Sequence, residues 1–180
     1  MKRCKNCKEP FTPIRSSLER YCQKDECIRV FVTETKAKEW KKKKAKKKEE
    51  LMTVQDWIKI AQQTFNKYIR LRDKDKGCIS CGKPLNTKFD CGHFFNANNH
   101  WSLRFDERNC NGQCVECNQW RHGHLLEYRK GIIKRYGQGI LDELEEISTE
   151  TRKFSVDELK EIVILYKQKI KDYEKKAERP

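Results

Sequence analysis

No apolar run in this chain is long enough to cross a membrane as a helix, and the first ten residues, MKRCKNCKEP, lack the apolar stretch of a secretory leader. A membrane role is therefore not expected, and a reducing cytoplasm is the expected compartment. Apolar side chains are themselves scarce: 36% of the 180 residues are hydrophobic, against 38% charged. That balance argues against one large core, and small domains of this kind are commonly held together by metals or disulfides. There is no internal repeat beyond two groups of cysteines. Histidine is equally sparse, and all four copies lie between Cys78 and His124.

What the chain does have is cysteine and positive charge. Ten cysteines in a reducing compartment read as metal ligands rather than disulfides. Cys4 and Cys7 form a CxxC pair followed by Cys22 and Cys27, while Cys78/Cys81 and Cys114/Cys117 are two further CxxC pairs. Two thiolates at this spacing sit on one tight knuckle and supply half of a tetrahedral zinc shell, so each group of four is expected to hold one structural Zn²⁺. Cys91 and Cys110 are left over, and burial as small apolar side chains is their ordinary fate. The net charge of +14 is concentrated in residues 1–48, where 17 Lys/Arg face six Asp/Glu. Lys41, Lys42, Lys43, Lys44, Lys46, Lys47 and Lys48 make up most of that excess. Such an arm finds a polyanion through counterion release without sequence preference, and nucleic acid is the expected partner. Arg104 and Arg121 are expected to add contacts from the central stretch.

Periodicity places the elements. Thr53-Val-Gln-Asp56 is a capping-box pattern opening a helix whose stripe runs Val54, Trp57, Ile58, Ala61, Phe65, Tyr68, Ile69 up to a stop near Gly77. Residues 84–113 read as strands, with Phe89 to Phe95 and Trp101 to Phe105 separated by the turn-like Asn96 to Asn99. Helical spacing returns after Cys117 and again after Ile140, and Ser155-Val-Asp-Glu158 is a second capping box. The last apolar face packs either within the chain or against a second copy, as in a homodimer. The expected fold is a small zinc-stabilised α+β protein: an amino-terminal zinc finger over 1–32, a helix-prone basic linker over 33–50, a zinc-stabilised core over 51–139 and a helical region over 140–180.

Hairpin, zinc knuckle and helix, with Gly92-His93 on the first strand, Asn109 five residues before Cys114 and Asn118 directly after Cys117, resemble the ββα-metal or HNH nucleases. That resemblance implies His93 as general base, Asn109 as the asparagine that holds the hairpin together, and Asn118 as a ligand of a catalytic Mg²⁺ or Mn²⁺. More closely, FDCGHFF, LRFDERNCNGQCVECN and LLEYRKG behind a four-cysteine motif are similar to the phage NinG (Rap) family over nearly the whole chain, least so in the carboxy-terminal helix. This implies a structure-specific endonuclease nicking D-loops and Holliday junctions in the host-cell cytoplasm, with phage or host recombination proteins as further partners.

The chemistry is consistent. Phosphodiester hydrolysis needs a base for the attacking water and a cation at the leaving oxygen. Neutral imidazole suits the first task, and Mg²⁺, which keeps most of its waters, needs only one or two protein oxygens such as those of Asp90 and Asn118. The last ligand is His124, Glu127 or absent, with His124 ranked slightly higher. Gly92 stands where many HNH enzymes carry an aspartate. On a flat strand Asp90 and His93 face opposite ways, and a bend near Gly92 would bring them together. The alternatives are a non-catalytic zinc-finger protein binding junction DNA and an RNA-binding module, with His93 a buried structural histidine and Asp90 a turn residue. Convergence of His93 and Asn118 on one cation separates the nuclease from the binding protein, and competition between branched DNA and structured RNA separates the RNA-binding module from both.

Overall fold

A computed structural model describes residues 1–85 and 88–177. Asn86 and Thr87, within the region expected to form strands, and residues 178–180 of the expected carboxy-terminal region lie outside the described residues. The chain divides into two compact units, Met1–Met52 and Thr53–Pro180.

In the first unit, β1 (Lys2–Arg3) pairs antiparallel with β2 (Pro10–Phe11), and a loop leads into α1 (Asp25–Glu50). The expected boundary at residue 32 falls inside this helix. Ala, Lys and Glu are strong helix formers, and neither Gly nor Pro interrupts residues 25–50, so the basic segment continues the helix that begins in the finger. Asp25 and Glu26 in the first turn and Lys47 and Lys48 in the last complement the helix dipole.

The second unit is built around a two-stranded hairpin. Its first helix, α2 (Val54–Asp73), opens with the expected capping box: the Thr53 side chain accepts from the Asp56 amide, and the Asp56 carboxylate accepts from the Thr53 amide. The stripe Ile58, Ala61, Phe65 and Ile69 is buried against Leu159, Val163 and Tyr166 of α5 (Val156–Ala177), so the apolar face of α5 packs within the chain. Ser155 and Glu158 form the second expected box.

β3 (Phe89–His93) pairs antiparallel with β4 (Cys110–Cys114), in a register that sets Asp90 opposite Gln113 and His93 opposite Cys110. The expected second strand, Trp101 to Phe105, is wrong. Trp101–Leu103 is a single 3₁₀ turn that buries Leu103 and ties Trp101 Nε1 to the Asn98 carbonyl. Alternating Trp101, Leu103 and Phe105 look the same in a strand and in a tight turn followed by a loop. The real strand was hidden because Asn111 and Gln113 are buried polar residues, invisible to a hydrophobic pattern. The first strand also ends at His93 rather than Phe95.

α3 (Leu125–Tyr136) and α4 (Gln138–Ile147) meet at Gly137, whose φ of +93° suits a residue without Cβ. They close a core of Ile79, Leu103, Tyr128, Ile132, Leu141 and Leu144. The hairpin is thus covered by α2 on one face, where Phe65 packs with Cys110 and Cys91, and by α3 on the other, where the Tyr128 hydroxyl donates to the Gly92 carbonyl at 2.9 Å. Among the described residues no helix is long and apolar enough to cross a membrane.

Candidate metal centres and catalytic face

Each group of four cysteines comes together. The ligand atoms of Cys4, Cys7, Cys22 and Cys27 lie within 4.8 Å of one another, and so do those of Cys78, Cys81, Cys114 and Cys117. The Cys7–Cys22 and Cys81–Cys114 sulfur separations are 3.7 and 3.8 Å. Tetrahedral zinc with Zn–S bonds of about 2.3 Å requires sulfurs about 3.8 Å apart, so both tetrads can hold structural zinc. In each tetrad the surroundings favour one thiolate, while neighbouring thiols are pushed up. The Cys22 amide points at Cys4 Sγ at 3.3 Å, and the Cys114 amide at Cys78 Sγ at 3.4 Å. Burial opposes ionisation of Cys4, but the amides of Cys22, Cys7 and Asn6 outweigh it and bring its thiol down to about 6. Cys78 is lowered in the same way, with burial overcome by the amides of Cys114, Cys81 and Ser80. Burial and the neighbouring sulfurs push Cys117 up, a repulsion that a central cation would relieve.

The second tetrad organises the hairpin. Gly77 and Gly82, with φ of +75° and +73°, allow the tight loop that closes on the Cys78 amide donating to the Lys83 carbonyl at 2.8 Å. Cys114 ends β4, and the turn Glu116–Trp120 carries Cys117 and Asn118. This turn brings Asn118 and Gln119 over β3: Asn118 Nδ2 donates to Asp90 Oδ2 at 2.9 Å and Gln119 Nε2 to the same oxygen at 2.7 Å. Two of the expected cation ligands, Asp90 and Asn118, are therefore adjacent.

The remaining expected residues are dispersed around them. His124 directs Nδ1 to Cys117 Sγ at 3.6 Å, and Glu127 pairs with Lys130 at 2.7 Å on α3. Asn109 is fully buried; its Oδ1 accepts from the Phe95 amide, and its Nδ2 donates to the carbonyls of Phe95 and Leu103. It ties the loop after β3 to the start of β4. No bend occurs at Gly92, because β3 pairs residue for residue with β4 through that position. His93 consequently lies on the α2 face and Asp90 on the α3 face.

His93 is partly buried beside Phe65, with ring centroids 6.4 Å apart, and its Nε2 lies 3.3 Å from the Arg104 carbonyl. Burial, aided by the Arg104 charge, lowers its pKa below the ordinary 6.5, so the ring is neutral at pH 7. Cys91 and Cys110 share this face, and their ligand atoms and that of His93 fall within 4.8 Å, a third group that could hold a metal. Burial pushes the Cys110 thiol well up, in keeping with its packing among Phe65, Ile69 and Tyr166.

The charged candidates divide. Lys41 to Lys44 and Lys46 to Lys48 are exposed on α1. Arg121 is exposed and paired with Glu116 at 2.6 Å, whereas Arg104 is turned inward, donating to the Ala97 carbonyl and stacking on Trp101. The residues that pattern reading missed are Ser80, Gln113, Gln119 and the pairing of Cys91 and Cys110 with His93. Gln113 was legible only once the correct second strand was known.

Comparison with known proteins places these features in a lineage. The family described as Bacteriophage Lambda NinG protein matches residues 1–178. Among curated proteins, Protein ninG of Escherichia phage 933W is 46% identical over 116 residues, which is 64% of this chain and 57% of that protein. Protein ninG of Escherichia phage lambda is 45% identical over 116 residues, 64% of this chain and 56% of its own length. That of Salmonella phage P22 is 44% identical over the same 64% of this chain and 57% of its own length. The match thus spans a little over half the length of these relatives. No solved structure matches the chain.

Proposed function

The chain belongs to the NinG family of bacteriophage proteins, and from that premise we propose that it is a metal-dependent endonuclease of branched DNA, nicking D-loops and Holliday junctions from a ββα-metal centre. The observation that carries this reading is the contact between Asp90 and Asn118, 28 residues apart, on the surface that joins the hairpin to the zinc knuckle. The donors there are a carboxylate and amides, hard oxygens that fit Mg²⁺ or Mn²⁺. Asp90 and Asn118 would hold the cation, Asn118 presenting its Oδ1 after rotating its amide, and the bound ion supplies charge stabilisation at the leaving oxygen. His93 is the proposed base: burial keeps it neutral, and since it lies on the face of β3 opposite Asp90, this role requires the hairpin to rearrange when cation and DNA bind. Asn109 positions both strands and takes no proton. The exposed lysines of α1 attract the phosphate backbone.

One observation favours a second reading, a zinc protein that binds junctions without cutting them: His93 and Asp90 occupy opposite faces of β3. One experiment separates the two. Purified protein is incubated with labelled flap, D-loop and four-way junction DNA, with and without Mg²⁺, beside His93→Ala and with structured RNA as competitor. Mg²⁺-dependent nicks that vanish in the variant support the nuclease. Retarded but intact junctions under all conditions support the binding protein, and preferential displacement by RNA would overturn both.

A further inference from the structure

We propose that Gln113 is a third oxygen ligand of the divalent-cation site, its buried Oε1 completing the set begun by Asp90 and Asn118. The proposal rests on the metal-dependent reading above and names a residue which that reading does not use.

Gln113 has no exposed surface, and it stands opposite Asp90 in the hairpin register, so both side chains leave the sheet on the same face. Its amide nitrogen is fully engaged, donating to Ser80 Oγ at 2.7 Å and to the Gly123 carbonyl at 2.6 Å. A carbonyl can only accept, so the nitrogen must face Gly123 and the oxygen must face away from it. That oxygen has no hydrogen-bond partner; among the buried side-chain nitrogens and oxygens of the described residues only Gln62 Oε1 and Arg104 Nε are likewise unpartnered. Buried polar atoms nearly always have a partner, and an exception points to a water, an ion or a functional role.

The neighbouring residue gives the oxygen its room. A Cβ at Gly92 would lie 2.3 Å from Gln113 Oε1, so any other residue there would displace it. Glycine on β3 therefore keeps open the space that the amide oxygen occupies, two residues along the same face from Asp90. A carboxylate, an amide oxygen and the Asn118 amide are the oxygen types Mg²⁺ and Mn²⁺ select. The two anchors of the Gln113 nitrogen are also informative. Ser80 lies within the first CxxC knuckle, and Gly123 sits in a turn where His122 and His124 also have positive φ. Gln113 thus links the cysteine knuckles to the cation face and holds its oxygen in a single orientation.

The test measures cation binding rather than cleavage. Mn²⁺ is titrated into wild-type protein, Gln113→Met and Gln113→Glu, with free Mn²⁺ followed by electron paramagnetic resonance and zinc content checked in each. Both variants lose the nitrogen bonds to Ser80 and Gly123, but only Gln113→Glu keeps an oxygen and adds a charge. Gln113→Met should weaken Mn²⁺ at least about 10-fold, and Gln113→Glu should bind at least as tightly as wild type. Wild-type affinity in Gln113→Met, or equal weakening in both variants, would overturn the proposal in favour of a buried water or a purely structural amide. Should either variant fail to fold, Mn²⁺-soaked crystals of the wild-type protein decide by anomalous scattering. A peak within about 2.3 Å of Gln113 Oε1 is expected. A peak on Asp90 and Asn118 alone would sink this inference but leave the proposed function, whereas no peak at Asp90 would sink both.

Discussion

Replacing His93 with alanine separates the catalytic from the structural role of the one histidine on the hairpin. The ring meets two backbone groups, one at Cys91 and one at the Arg104 carbonyl, which lies 3.3 Å from Nε2. That is longer than the usual N–H···O distance of about 2.9–3.0 Å, and such a bond contributes about 0.5–1 kcal/mol net. The ring is only partly buried, and its packing on Phe65 is loose at 6.4 Å between centroids. Truncation should therefore cost about 1–2 kcal/mol, which a domain stable by roughly 5–15 kcal/mol survives. Loss of a general base lowers the rate by about 10²–10⁴-fold, equivalent to roughly 3–5 kcal/mol of barrier. The expected outcome is a folded, zinc-replete variant that binds junctions and does not cut them.

The pH dependence sharpens this test. Because burial depresses the folded pKa, the folded protein binds fewer protons than the unfolded chain just below pH 6.5. The group's stabilising contribution is present above about 6.5, the unfolded value, and is lost as pH falls through the folded pKa. Urea melts between pH 7.5 and pH 5 should show a decline that His93→Ala flattens, and the cleavage rate should fall only below the pH at which a free histidine titrates. The groups facing the ring in this window are the Cys91 and Cys110 thiols and the Arg104 guanidinium. Cleavage at the wild-type rate in His93→Ala would remove His93 from the mechanism, and loss of zinc with unfolding would make it structural.

Further outcomes follow from other parts of the fold. Elemental analysis of the folded protein should give two zinc ions per chain, and Cys114→Ser should unfold the second unit, since metal binding is coupled to folding; a third equivalent would point to Cys91, His93 and Cys110. Deleting residues 1–52 should weaken DNA binding and flatten its salt dependence while the second unit keeps its zinc, and an unchanged salt slope would reduce α1 to a solubilising arm. Asp73 is fully buried, and although burial opposes its charge, Arg72 at 2.7 Å, the Gly112 amide and Lys76 hold its pKa below the usual range. Its contribution is therefore present above about pH 3.9, the unfolded value, and lost on further acidification; Asp73→Asn, which leaves Arg72 only the more distant Glu107 at 3.8 Å as counter-charge, should cost about 3–5 kcal/mol by urea melt. Asn109→Ala should cost about 2–4 kcal/mol by stranding the Phe95 amide and the carbonyls of Phe95 and Leu103, and a stable, inactive variant would give it a catalytic role instead.

Local chemistry was legible in the chain without its fold. CxxC spacing alone brings two sulfurs to one point, so both cysteine tetrads followed from counting. Thr53/Asp56 and Ser155/Glu158 close within one helical turn, and the buried stripes of α2 and α5 are properties of a single helix each. The tertiary structure decided the rest, because it depends on which residues face one another across the hairpin. The strand Cys110–Cys114 was missed because Asn111 and Gln113 are buried through hydrogen bonds rather than apolar contact. With that strand unknown, no register could place Gln113 opposite Asp90, and no spacing could reveal that Gly92 leaves room for its oxygen. The side of the sheet on which His93 lies was likewise beyond the sequence. A bend at Gly92 and a regular strand are both compatible with the residues, and only pairing along the whole length of β4 keeps the strand straight and sets His93 and Asp90 apart.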